Sequence, residues 1–537
     1  MAITIYNHAL EDYFPVDLSE YGFNKNVQGN SFWASNQGDT LSFFDTGDQI
    51  SITFKATGKE ATVTINDSEY TIADGEIAVS EITLIKPITV TTVKDTIGGI
   101  VVYSCTKKSI PATTDDNFAN MHLYFPFSPT GETLEAATAD FTVYTDTPNK
   151  WDKGTVIDIH DADGILGRFY VDTCIKTYAG QYAVTASDVI NRLSKISFLG
   201  YIGHENAGYN NGGYTYTKVF STVLTLCTDI FGNFDFTVTN ACKNIEVPGY
   251  IPVGNARDAL QYMCFGCGLS VRTYRTDKPV IQSADTYATH TIADTRVADG
   301  VSVSETDKKT AVSIRPLRYI ANMYTTTFDM FDGMLPPGTV VLTVGYRTYK
   351  NNEKEPIAYK LSASDIKVMG QADVNKPATI VKTTGAATVL NVTGTEAQTP
   401  DDNGNYYVVL YGHEIKPYYW SKNTPASAYL TSSYLEPLSE VYGNGEAMEL
   451  SESATTITYH NAEAVANRMI NYYSKSREAT VSYIMSKNEM PGDKLILPLD
   501  KTYGNISGRV LSLDITPGVS KNFADAIIIC DEGDTNA

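Results

Sequence analysis

The sequence predicts a mainly β fold with an α/β insertion, and three observations lead to that class. Apolar residues make up 42% of the chain and charged residues only 19%, while 36 Tyr and many Thr suit pleated, half-buried surfaces. Short runs of alternating apolar and polar residues recur along most of its length, and a helical period is confined to a few stretches between them. At 537 residues, and about 150 residues per domain, the chain is long enough for three or four domains with cores of their own.

Taken in order, residues 1–108 read as a β-sandwich-like accessory domain: "DQISITFKATG", "ATVTINDSEYTIADG" and "ITVTTVKD" alternate strictly between Gly-Asp and Asn-Asp turns. The stretch "KKSIPATTDDNFAN" breaks the pattern with proline and acidic residues and reads as a linker. Residues 122–200 form a first β region, in which "GTVIDIHDADGILGRFYVDTCIKTY" and "GQYAVTAS" suggest long strands curled into an antiparallel barrel. A helix follows, with Ser187 as its N-cap and Val189, Ile190 and Leu193 on its apolar face.

Residues 201–330 read as the α/β insertion. Thr217 is expected to open a helix, "TKVFSTVLTLCTDIFG", with Cys227 in its core stripe and a glycine at its end. A second helix spans "NARDALQYMCFGCG", with Asn255 as N-cap. The β pattern returns over residues 331–425, and residues 426–537 supply a last helix, "HNAEAVANRMINYYSKSRE" with Asn461 as N-cap, followed by a final β unit.

Composition excludes several functions. With 41 Lys and Arg against 62 Asp and Glu, the formal charge of -21 repels polyphosphates and anionic headgroups, so tight nucleic-acid or membrane-surface binding is not expected. "ADAIIIC" is the most apolar run, far below the roughly 20 residues of a spanning helix. The N-terminus lacks a basic leader, which predicts a soluble protein made in the cytoplasm. Seven scattered cysteines do not suit a disulfide framework.

Cys264 and Cys267 make a Cys-x-x-Cys pair, but near the end of a helix and on or beside its buried stripe. A redox pair needs its first thiol at a helix N-terminus, and zinc needs a second ligand pair that the sequence lacks, so a packing role is expected. His160, Asp161 and Asp163 in "DIHDADGILGR" fit a hairpin turn better than an incomplete calcium loop. No nucleophile elbow, zinc-protease motif or other catalytic cluster can be assembled, and neither a catalytic residue, a cofactor nor a metal is expected. Arg257 and Gln261, one turn apart, are candidates to anchor their helix to a neighbouring strand or subunit. "YNNGGYTYT" and "KPYYWSK", the latter with Tyr418, Tyr419 and Trp420, place aromatic rings in polar loops, where sugar stacking, protein contact and a packing seam are all open. Trp33 in "GNSFWASNQGD" has the same standing.

Several stretches together resemble the baseplate hub or tail-tip proteins of bacteriophages, prophages and related contractile particles of Gram-positive hosts. They are "LGRFYVDTCIKTYAGQYAVTASDVINRLSKISFLGYIG", then "VPGYIPVGNARDALQYMCFGCGLSVRTYR" with Arg257, Ala259, Leu260, Gln261 and Gly268 matching, and finally "NAEAVANRMINYYSKSRE" with "PGDKLILPLDKTYGNISGRVLSLDI". The resemblance implies two tail-tube-like barrels per chain. It also implies a homotrimeric virion ring, assembled in the bacterial cytoplasm, that joins the tail tube to a spike or tip and serves host attachment and genome ejection. Its implied partners are a tube or distal tail protein, a spike or tip protein and a tape-measure protein, with DNA passing through without specific binding. Residues 1–108 depart from the family pattern, and the cell-wall hydrolase activity that some relatives carry in a domain after the hub core is not expected. The rival reading is a secreted or surface β-sandwich protein that binds carbohydrate.

Overall fold

The computed structural model describes residues 3–16, 18–21, 24–26, 29–33, 40–57, 61–72, 76–92, 99–210, 212–322, 328–335, 339–345, 348–350, 356–368, 378–383, 387–393, 406–420, 439–450, 455–500, 504–517 and 522–531. Residues 34–39 beside Trp33 and residues 421 and 422 of "KPYYWSK" lie outside the described residues, as does the side chain of Trp33.

Two compact units are formed, one from Thr4–Asn117 with Asp146–Asp158, the other from Met1–Ile3, Phe118–Thr145 and Ile159–Ala537. The first contains two antiparallel sheets packed on each other. One orders the strands Thr40–Phe43, Ile88–Thr92, Ala61–Ile65 and Ser68–Ile72; the other includes Gly29–Trp33, Gly99–Ser109, Gln49–Thr57 and Glu76–Thr83. Alternation places one face of each strand inward, and Phe43, Val63, Ile65 and Ile88 meet Ile50, Ile52, Val102 and Cys105 in a single core. The "linker" is not free: Ala112–Thr114 pairs antiparallel with Thr4–Tyr6, because the β-branched Thr113 and Thr114 satisfy their backbone in a ladder despite the neighbouring proline. The segment Asp146–Asp158 is held to this unit by Asn7 Nδ2 donating to Lys150 O at 2.9 Å and by a His8–Asp158 contact at 3.0 Å.

The second unit is mostly β. Its large sheet runs Gly164–Tyr178, Gln181–Ser187, Thr138–Tyr144, Phe118–Pro126, Gly504–Thr516, Phe523–Cys530, Arg477–Ile484, Val297–Glu305. The pairing Leu123↔Ile515 therefore stitches the final β unit directly to the first β region. A further sheet joins Tyr201–Asn210 to Leu317–Asn322 in parallel, and that strand to Tyr406–Tyr419 in antiparallel order, so the start of the predicted insertion is a strand of the second β region.

Three helices, α1 (Val189–Leu193), α2 (Val223–Phe231) and α3 (Ala256–Cys267), share one core around Leu193, Leu226, Cys227, Leu260 and Met263. A fourth, α4 (Ala462–Tyr473), buries Val465, Ala466 and Met469 against Val312, Ile314 and Phe265. Two starts differ from expectation. Helix α1 is capped by Asp188, whose carboxylate accepts from Ile190 N at 2.9 Å and Ala137 N at 3.1 Å; Ser187 instead bonds the side chains of Asp172 and Asn191. Helix α2 starts six residues later than Thr217, because Gly213–Val219 pairs with Tyr201–Asn210 as the return strand of a hairpin. Its alternating Tyr and Thr favour the ladder over the helical stripe that the later residues suggest. Thr222 is the cap, accepting from Thr225 N at 3.3 Å.

Replacing Thr222 with Ala should therefore cost about 1 kcal/mol, and replacing the exposed strand residue Thr217 much less. Urea unfolding of both variants measures this; an equal cost would contradict the assigned helix start.

Candidate functional site

Helix α3 sets up a joint held by several side-chain to main-chain hydrogen bonds. Asn255 caps it by accepting from Asp258 N at 2.8 Å, and Gly268 ends it at φ +68 with its N–H on Cys264 O. This end needs glycine for its φ, and an added Cβ would also stand 2.7 Å from Arg468 Nη1 and push that side chain aside. From the polar side of α3, Arg257 donates through Nε and Nη2 to Leu134 O at 2.8 and 2.5 Å, and Gln261 donates to Glu132 O. Arg468 from α4 reaches the same place, donating to Phe265 O and, at 3.3 Å, to Thr130 O. At Gly131, φ is +75 and an added Cβ would lie 2.9 Å from Phe265 N. The segment between the strands Phe118–Pro126 and Thr138–Tyr144 is thus pinned by three side chains to two helices. Arg257 and Gln261 do anchor their helix, to an irregular segment of their own chain.

A second cluster was not expected. Glu205 is buried, and its carboxylate accepts from Arg318 Nε at 2.6 Å and Tyr459 Oη at 2.6 Å, with His460 Nε2 at 3.3 Å. The Arg318 guanidinium lies over the Tyr216 ring at 4.0 Å and the Tyr459 ring at 4.9 Å, while Trp420 stacks on Tyr459 at 5.3 Å. Burial pushes the Glu205 carboxyl up, but the hydrogen bonds from His460, Tyr459 and Arg318 outweigh it and hold the group at about 2. A carboxylate held ionised this firmly cannot donate a proton near neutrality, so the cluster acts as a fixed ion pair that locks the strands Tyr201–Asn210 and Leu317–Asn322 to the segment before α4.

The aromatic candidates divide. Lys416 through Tyr419 continue a strand rather than a loop, since pairing with Leu317–Ile320 satisfies their backbone. Tyr418 is 7% exposed and packs with Ala207 and Ile320, whereas Tyr419 and Trp420 keep partial exposure. "YNNGGYTYT" is the hairpin tip, where Tyr209 and Tyr214 are 58% and 41% exposed and meet edge to face at 5.3 Å.

Cys264 is 2% exposed, and burial drives its thiol well above the ordinary range and that of Cys267 up to about 12. Cys227 and Cys242 lie in the same apolar core. Protonated, buried thiols make poor nucleophiles and poor metal ligands. Asp161 forms the expected turn, accepting from Asp163 N at 2.9 Å, and is further buried in a two-pronged pair with Arg275 at 2.7 and 3.1 Å. Among the described residues no group of three or more His, Cys, Asp and Glu is placed to hold a metal ion, and no helix is long and apolar enough to cross a membrane.

Sequence reasoning missed Glu205, Arg318, Tyr459 and Arg468. The available signal was a lone arginine between apolar neighbours in "PLRYIAN" and a glutamate inside the strand "YIGHENAGY". Either marks a charge that must find a partner on folding.

Glu205 predicts a pH dependence. Its folded value lies below the ordinary 4.5, so its contribution is complete above about pH 5 and is lost as the pH falls toward 2, amounting to about 3 kcal/mol by linkage. In urea melts, the stability gap between the native chain and Glu205→Gln should be widest near neutrality and close at low pH; a gap independent of pH would contradict the assignment.

No family model and no curated protein sequence matches the chain. Among solved structures it is similar to a prophage tail protein from Listeria monocytogenes, with a TM-score of 0.39 and 9% identity over 79% of this chain and 92% of that one. It is similar to a tail protein from Neisseria meningitidis, with a TM-score of 0.39 and 7% identity over 89% and 98%. It is also similar to a tail protein of prophage MuSo2 from Shewanella oneidensis, with a TM-score of 0.37 and 8% identity over 88% and 98%.

Proposed function

We propose that this chain is a structural protein of a phage tail or phage-derived particle, acting as the baseplate hub or tail-tip protein without catalysis. The observation that carries this reading is the meeting of the resembling stretches within one unit. "ARDALQ" on α3 is tied through Arg257 and Gln261 to the segment after Phe118–Pro126, and that strand pairs with Gly504–Thr516 of the closing β unit. A load-transmitting ring component needs the early, middle and late segments of this unit fastened in one body, and buried pairs such as Glu205–Arg318 and Asp161–Arg275 serve that purpose better than chemistry.

In this reading residues 122–200 and 331–425 supply two tube-like barrels, 201–330 the inserted region, 426–537 the closing element, and 1–108 an accessory sandwich. Three copies give six barrels, the number needed to meet a sixfold tube by closed symmetry. Tyr419 and Trp420, still partly exposed, are placed at subunit contacts. The net charge of -21 suits a lumen through which DNA passes without adhering.

A density map of the assembled particle tests the proposal. Three copies around an open, acid-lined channel at the end of the tube are expected; a peripheral monomer bound to glycan would overturn it in favour of the carbohydrate-binding reading.

A further inference from the structure

We draw no further inference here: the strongest candidate, the outer edge of the hairpin strand Gly213–Val219, which ends its sheet among the described residues and carries Tyr214 at 41% exposure, is a surface for which nothing in the structure shows what covers it.

Discussion

Much of the second unit depends on a few side-chain N–H groups that reach main-chain carbonyls in residues 130–134. An irregular segment between two strands carries carbonyls that no ladder can satisfy, and burying them unpaired is costly. Arg257, Gln261 and Arg468 meet these oxygens, and because they come from α3 and α4 they fix both helices relative to the sheet that contains Phe118–Pro126. Guanidinium groups suit this role: they stay charged and hold several donors in a rigid fork. Gly131 and Gly268 complete the fit, since any side chain at either position would stand within 3 Å of the partners that close the joint.

From that joint the remaining architecture follows. Fixing α4 places the segment before it, with Tyr459 and His460, against Glu205 and Arg318, so two strands distant in sequence are locked by a charged pair that aromatic rings shield from water. Asn461 contributes on the same side. It stands at the start of α4 as expected but does not cap it; its Oδ1 accepts from Thr458 N at 2.7 Å, and its Nδ2 donates to Gly266 O and Thr456 O at 2.9 Å. An N-cap asparagine in sequence thus becomes a bridge between α3 and α4, because tying two helices satisfies more buried groups than closing one turn. The same joint leaves a space between helix and sheet that Glu132, Glu135 and Glu478 line.

How much of this was legible in the sequence depends on how local each determinant is. Helix α3, its Asn255 cap and its Gly268 end are set by residues within a few turns of one another, and periodicity exposes them; that Arg257 and Gln261 anchor the helix follows from their place on its polar side, but their partners Leu134 and Glu132 lie 123 and 129 residues earlier and left no local trace. The alternating strands of residues 1–108 were legible for the same reason. Thr217 was misread because its stretch satisfies a helical stripe and a ladder alike, and only the partner strand Tyr201–Asn210 decides between them. Tyr418 was misread as a loop aromatic because its burial depends on Leu317–Asn322, about a hundred residues earlier. Glu205, Arg318, Tyr459 and Arg468 leave only faint local traces; each signals a charge or a hydroxyl needing a partner, and none says which.

Amide hydrogen exchange on the full chain, native against Arg468→Ala, tests the joint most directly. If the arginine-to-carbonyl contacts hold α3, α4 and residues 128–137 as one cooperative unit, protection should fall together in all three, while the sheet formed by Thr40–Phe43, Ala61–Ile65 and Ile88–Thr92 keeps its rates. Faster exchange confined to α4, with α3 and residues 128–137 unchanged, would contradict the account.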